Sequence, residues 1–267
     1  MKHSFIFSLF LMLISCSYSK KNANSLPNND QDTSTTSINI APTAPVEEEG
    51  EFKNEFDILM PDSYRDWENK NQVDNLTDNW VDLYKKGSDY FLGKASYTIS
   101  RGMDDCSGDS TKTIESNNNT LIFLDNPDLT MGAVTTLPIP KNKIWPKEKI
   151  TLSYNHYQYT LRAEGKILSK ENCGKDGGDV FYNVENYKLF IATNKTSETL
   201  LLKETSFNNT FVELVFAGDI DRDGKLDFIF SAARDYEEER YILFLSSKAT
   251  AGQIVKKVSE VSRQFDC

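Results

Sequence analysis

Histidine is almost missing from this chain. Among 267 residues there are two, His3 and His156, and His3 lies in what reads as a leader. A zinc hydrolase draws its catalytic ligands from two or three histidines, so that class is set aside. A serine triad needs only one, but no Gly-x-Ser-x-Gly elbow is present to lift a nucleophile off a sheet. Neither common glycine-rich phosphate loop occurs. No basic run is longer than two residues, and 30 Lys and Arg stand against 40 Asp and Glu, a formal charge of -10. Such a surface repels nucleic acid and anionic lipid headgroups. Cysteine is sparse, at four, and none stands at the close paired spacing of a zinc module.

Long apolar runs are also lacking. The stretch from Phe5 to Ile14, after Lys2 and His3, is too short to span a bilayer as a helix and has the length of a signal-peptide core. It ends in Leu13-Ile14-Ser15-Cys16. This tetrapeptide resembles the lipobox of bacterial lipoproteins, with Ser15 as the small residue before cleavage and Cys16 as the lipid-modified new N-terminus. The resemblance implies a leader over 1–15 and attachment to a lipid bilayer through Cys16. Residues 16–55 are rich in Asn, Ser, Thr and Asp, with Pro27, Pro42 and Pro45. They carry too little apolar surface to fold and read as a tether, with an r.m.s. reach of about 30 to 40 Å as a random coil. No acidic residue follows Cys16 closely; Ser17, Tyr18, Ser19, Lys20 and Lys21 come next. By resemblance to lipoprotein sorting rules, that places the protein in the cell envelope, at an outer membrane where the cell has one.

What the chain does have is Asp219-Ile220-Asp221-Arg222-Asp223-Gly224-Lys225-Leu226-Asp227. Four carboxylates recur around one glycine. Calcium is a hard cation that takes six to eight oxygens at roughly 2.3 to 2.6 Å, and a short turn supplies them only when alternate side chains converge. Asp219, Asp221, Asp223 and Asp227, with the carbonyl of Lys225, are the expected metal ligands, and Gly224 takes the sharp turn. The twelfth position, a bidentate Glu in a helix-loop-helix hand, is Phe230 here. The flanks, Phe211 to Ala217 and Leu226 to Phe230, are short, β-branched or aromatic, and read as buried strands.

In this setting Phe211 to Phe230 resembles the FG-GAP and VCBS type of repeat, in which an Asp-x-Asp-x-Asp-Gly-x-x-Asp loop links two strands of a propeller blade and binds calcium. The run Leu243 to Ala249 and the terminal Cys267 look like the tails of secreted bacterial proteins with one such loop. No second copy is present. Asp104-Asp105-Cys106-Ser107-Gly108-Asp109 and Asp125-Asn126-Pro127-Asp128 are acidic turns without the alternate-aspartate spacing. A propeller needs about four blades, so the expectation is a single calcium-stapled β domain.

Residues 56–267 hold the remaining strand signals, at 95–99, 120–124, 159–163, 187–192, 199–202, 241–245 and 253–258, separated by turn clusters. The pattern predicts a mainly β fold: one antiparallel β-rich domain, sandwich or barrel-like, and not a full propeller. An imperfect apolar stripe over Asp62 to Lys86 predicts one or two short N-terminal helices capping the sheet. In an oxidising compartment Cys106 and Cys173, each in a turn with Gly and Asp, are the first choice for a disulfide, with Cys267 as the alternative partner.

For the rest of the chemistry, His156 sits in Tyr154-Asn155-His156-Tyr157 between two strand signals and reads as a turn residue. Trp145, Tyr154, Tyr157 and Tyr159 are candidates for a sugar-stacking platform or for core. The segment Arg234 to Arg240 is expected as an acidic loop beside the calcium hairpin. No catalytic residue is singled out. The functional expectation is a calcium-binding, membrane-anchored lipoprotein acting as a binding or envelope-associated module, with an envelope protein or a glycan as its partner. The alternatives are a carbohydrate-active enzyme using a carboxylate pair and an inhibitor or immunity-type protein that binds another envelope protein.

Overall fold

The computed structural model describes residues 52–173 and 179–265. From Asn54 onward the chain forms one compact unit, Asn54–Cys267. The expected leader, Cys16 and most of the tether lie outside the described residues. Among those described, no helix is long and apolar enough to cross a membrane.

The chain is a succession of strands: β1 (Ile58–Leu59), β2 (Ser63–Arg65), β3 (Val81–Lys86), β4 (Asp89–Lys94), β5 (Tyr97–Met103), β6 (Ser110–Ser116), β7 (Asn119–Leu124) and β8 (Gly132–Thr136). They continue as β9 (Lys149–Tyr154), β10 (Tyr157–Cys173), β11 (Asp179–Thr193), β12 (Thr199–Ser206), β13 (Glu213–Asp219), β14 (Asp227–Ser231), β15 (Glu238–Leu245) and β16 (Lys256–Gln264). A nine-stranded antiparallel sheet has the order β1-β7-β3-β4-β8-β13-β14-β15-β16. A four-stranded sheet, β12-β11-β10-β9, and a three-stranded sheet, β2-β6-β5, complete the domain.

The large sheet curls into a nearly closed barrel. The segment before β1 joins it to β16, with the Glu55 N–H donating to the Val258 carbonyl at 2.8 Å and the Asn54 amide exchanging two 2.9 Å bonds with the Glu260 backbone. Closure satisfies edge groups that would otherwise invite pairing with another chain.

The expected mainly β fold is present, and the helical part contracts to one 3-10 turn at Gln72–Asn75, capped by Asn71, whose side chain accepts from the Val73 N–H at 3.0 Å. The rest of the 62–86 stretch supplies β2 and β3. In β3 the hydrophobic residues Val81 and Leu83 alternate with Asp82, a strand period that the surrounding Trp80 and Tyr84 hide in the sequence.

The strands on either side of Asp219–Asp227 lie at the centre of the molecule. Their side chains enter two separate hydrophobic cores. Leu214, Ala217, Phe228, Phe230, Ile242 and Phe244 face the four-stranded sheet, meeting Tyr159, Leu161, Tyr187 and Leu189. Phe216, Ile229, Leu243 and Leu245 face the other way, toward Leu83, Leu92, Ile122 and Val134. A strand buried on both faces has no polar side to display, which is why β14 reads as the near-continuous Phe-Ile-Phe. Each such side chain contributes about 1.5–3 kcal/mol on burial, so the frame holding both ends of the acidic loop is rigid.

Candidate metal centre

Asp219 closes β13 and Asp227 opens β14, and the ladder between them ends at the Gly218–Asp227 pair. The register therefore sets the outer two aspartates side by side. Gly218 permits this packing against β8, since a Cβ there would lie 2.7 Å from the Thr135 carbonyl oxygen. Between the ends, the backbone makes its turn through two left-handed residues, Arg222 (φ 63°) and Gly224 (φ 84°). The aspartates hold the turn through their own backbone neighbours, as short acidic side chains do in Asx turns. Asp221 Oδ1 accepts from the Asp223 N–H at 3.3 Å, and Asp223 Oδ1 from the Lys225 N–H at 2.9 Å. The Gly224 N–H donates to Asp219 Oδ2 at 3.0 Å.

Asp219, Asp221 and Asp227 converge: one carboxylate oxygen from each lies within 4.8 Å of the others. Two oxygens bound to a common calcium at about 2.4 Å stand no more than about 4.8 Å apart, so this triad could hold a metal ion. The donor set is all carboxylate, which suits a hard cation and not a soft one. Asp223 is not in the converging set. Its Oδ1 also accepts from Ser246 Oγ at 2.9 Å, and its Oδ2 lies 3.3 Å from Lys225 Nζ.

Burial sharpens the charge problem. Asp227 is fully buried, with its oxygens accepting from the Ile220 N–H at 2.7 Å and the Ser246 N–H at 2.8 Å. Burial, and then repulsion from Asp221, push its carboxyl well above the usual carboxylate range. Asp221 is raised too, by burial first and by Asp223 and Asp219 after it, although Ser247 Oγ donates to its Oδ2. Asp219 is 7 % exposed, and its Oδ1 has no hydrogen-bond partner. Among the described residues, no Lys or Arg pairs with Asp219, Asp221 or Asp227. Buried carboxylates are ordinarily paired, and an unpartnered buried oxygen costs about 1–3 kcal/mol. A bound cation removes both penalties.

Five other partners of the loop come from distant sequence: Tyr154, Asn155, Tyr159, Met131 and Ala133. Tyr154 Oη donates to Asp219 Oδ2 at 3.0 Å, and Asn155 Nδ2 to the Gly224 carbonyl at 2.8 Å, both from the β9–β10 turn. Tyr159 Oη accepts from the Leu226 N–H at 3.1 Å. Arg222 extends away from the triad and donates to the Met131 and Ala133 carbonyls at 2.9 and 3.3 Å. None of these has a local sequence signal; the alternation around Tyr154 marks a strand, not a metal loop.

The other candidates resolve into structure. His156 is exposed in the β9–β10 turn, where its carbonyl accepts from Asn194 Nδ2 at 3.2 Å. Trp145 and Tyr159 are core: the Trp145 ring lies 4.1 Å from that of Phe211 and 5.1 Å from that of Tyr182. The Arg234–Arg240 segment follows the far end of β14 from the loop, so it does not flank the acidic turn, and Arg234 pairs with the buried Glu238 at 2.8 Å. Cys106 is disulfide-bonded. The side chain of Cys173 and all of Cys267 lie outside the described residues, as does the choice between them.

No protein-family model matches the chain, and neither a curated protein nor a solved structure matches it. The likeness to FG-GAP and VCBS repeats therefore rests on Phe211 to Phe230 alone.

Proposed function

We propose that this chain is a lipid-anchored protein of a bacterial cell envelope whose β domain binds one calcium ion as a structural staple and acts as a binding module. The observation that carries the metal half is the uncompensated charge at the hairpin: three converging carboxylates, one with a buried unpartnered oxygen, and no cationic side chain pairing with them. Calcium is preferred over softer or smaller ions because the donors are all oxygen and the loop is a short, Asp-rich turn around glycine. The staple role follows from Asp227 being fully buried and from the backbone and hydroxyl bonds already placed on these carboxylates.

The envelope half rests on Leu13-Ile14-Ser15-Cys16 and the polar tether behind it. The rival reading of a carboxylate-pair glycosidase gains little from the geometry. A cavity of about 230 Å³ at the barrel seam is lined by Asp57, Glu260 and Trp80. Against its burial, Glu260 is held below the usual range by Arg240 and Lys257, and Trp80 is 1 % exposed, so neither a protonated acid nor a stacking face is offered.

Calorimetric titration of the purified domain with calcium tests the metal half. The expected result is one site per chain, lost in Asp221→Ala; a flat titration of the unmutated domain rejects it. For the anchor, membrane partition that persists after Cys16→Ala rejects lipidation at that residue.

A further inference from the structure

The β9–β10 turn belongs to the four-stranded sheet, yet its two residues Tyr154 and Asn155 reach across to the acidic loop of the nine-stranded one. Their contacts are not interchangeable with packing. Tyr154 Oη and the Gly224 N–H both donate to Asp219 Oδ2, which commits that oxygen and leaves Oδ1 as the carboxylate's only uncommitted atom. Oδ1 is buried and unpartnered, in a residue that is itself 7 % exposed and part of the converging triad. Asn155 holds the loop at a second point, the carbonyl of Gly224, and does so from a left-handed backbone (φ 50°) that aims its side chain at the loop. Groups that bond the outer oxygen of a metal-binding carboxylate orient the inner one, and their loss commonly costs ten- to a hundredfold in metal affinity.

We infer that Tyr154 and Asn155 are positioning residues of the metal centre, so that ion binding fastens the β9–β10 turn of one sheet to the β13–β14 hairpin of the other. The inference rests on the metal reading above. Occupancy of the loop then reaches beyond the loop: when the ion leaves, three carboxylates held within 4.8 Å repel one another, Asp219 moves, and the Tyr154 bond that depends on its position weakens. The remote turn is the reporter of the site.

The test uses Tyr154→Phe, which deletes only the hydroxyl, and Asn155→Gly, which keeps the left-handed turn and removes the side chain that bonds the Gly224 carbonyl. Calcium affinity is measured by calorimetry, melting temperature is measured in chelator, and amide exchange over 153–158 is followed with and without calcium. The inference expects each variant to bind calcium at least about tenfold more weakly, with a chelated melting temperature within about 2 °C of the parent. In the parent, calcium should slow exchange at 153–158 as well as at 219–227. Unchanged calcium affinity in both variants, with a lowered chelated melting temperature, would mean a merely structural contact and overturns the inference. Protection confined to 219–227 also overturns it. A parent domain that binds no calcium rejects the metal reading itself, a result distinguishable from either.

Discussion

Two acidic turns in this molecule, Asp104–Asp109 and Asp219–Asp227, look alike in composition and differ in how their charge is met. At the first, Asp104 Oδ1 accepts from the Cys106 and Ser107 N–H groups at 3.0 and 2.9 Å, and Oδ2 accepts from Arg65 Nε at 3.0 Å. Those bonds, the Ser107 N–H foremost, hold its carboxyl low, at about 2. At the second, Asp221 and Asp227 also accept backbone N–H bonds, yet burial and mutual repulsion raise both. The difference is a cation. The Asp104 turn is exposed and has Arg65 from β2; in the Asp219 turn Asp219 and Asp227 are buried, and no Lys or Arg among the described residues pairs with them or with Asp221. Acidic composition alone does not mark a group that could hold a metal; convergence of carboxylates without a compensating charge separates the second turn from the first.

The largest expected effect breaks the buried turn outright. Asp227→Ala leaves the Ile220 and Ser246 N–H groups without their acceptor and removes one carboxylate of the triad. At saturating calcium it should lower unfolding stability by about 2–4 kcal/mol in urea denaturation. Calcium itself comes next. At a hundred times its dissociation constant it should add about 2.7 kcal/mol to the parent, read as a higher melting temperature than in chelator; the same addition to Asp227→Ala should do nothing.

Asp221→Asn sharpens the comparison through a crossover. Without calcium it relieves repulsion, so the variant should melt no lower than the parent. With calcium it loses a charged ligand, and the order should reverse. A variant that melts below the parent in both conditions would make Asp221 an ordinary hydrogen-bonding residue. Asp104→Asn should instead lower the melting temperature slightly and equally in calcium and chelator.

The smallest effects are opposite slopes with pH. Asp104 is depressed in the fold, so its contribution is present above the unfolded value of about 4 and is lost as pH falls toward about 2. Asp221 and Asp227 are raised in the fold, so in chelator they cost stability at neutral pH, and that cost should fade as pH drops through their raised values. Comparing Asp104→Asn and Asp221→Asn with the parent across pH, in chelator, separates the two.

The loop was legible because its information is local. The Asp-x-Asp-x-Asp-Gly spacing and the apolar flanks lie within one hairpin, and the expected strands there are β13 and β14. The three-residue triad was legible only in part. Asp223 has the same spacing signal as Asp221, yet it does not converge with Asp219, Asp221 and Asp227; its oxygens meet Ser246, 23 residues away, and Lys225. The capping helices expected over Asp62–Lys86 contracted to the single 3-10 turn at Gln72–Asn75 for a related reason. Their apolar stripe was imperfect, and β3 took its place because both of its neighbours, β4 and β7, pair with it along its length. Sheet partners brought from elsewhere in the chain outweigh a weak helical period.

By itself, then, the sequence determined the β class and the acidic hairpin between two buried strands, since each is written in neighbouring residues. Tertiary structure alone decided that β13–β15 are buried on both faces and that, among the described residues, no cationic side chain pairs with the three converging carboxylates. It alone brought Tyr154 and Asn155, more than sixty positions from their partners, onto the acidic loop. Those contacts join different sheets, and the register and packing that create them are properties of the assembled sheets and not of any segment within them.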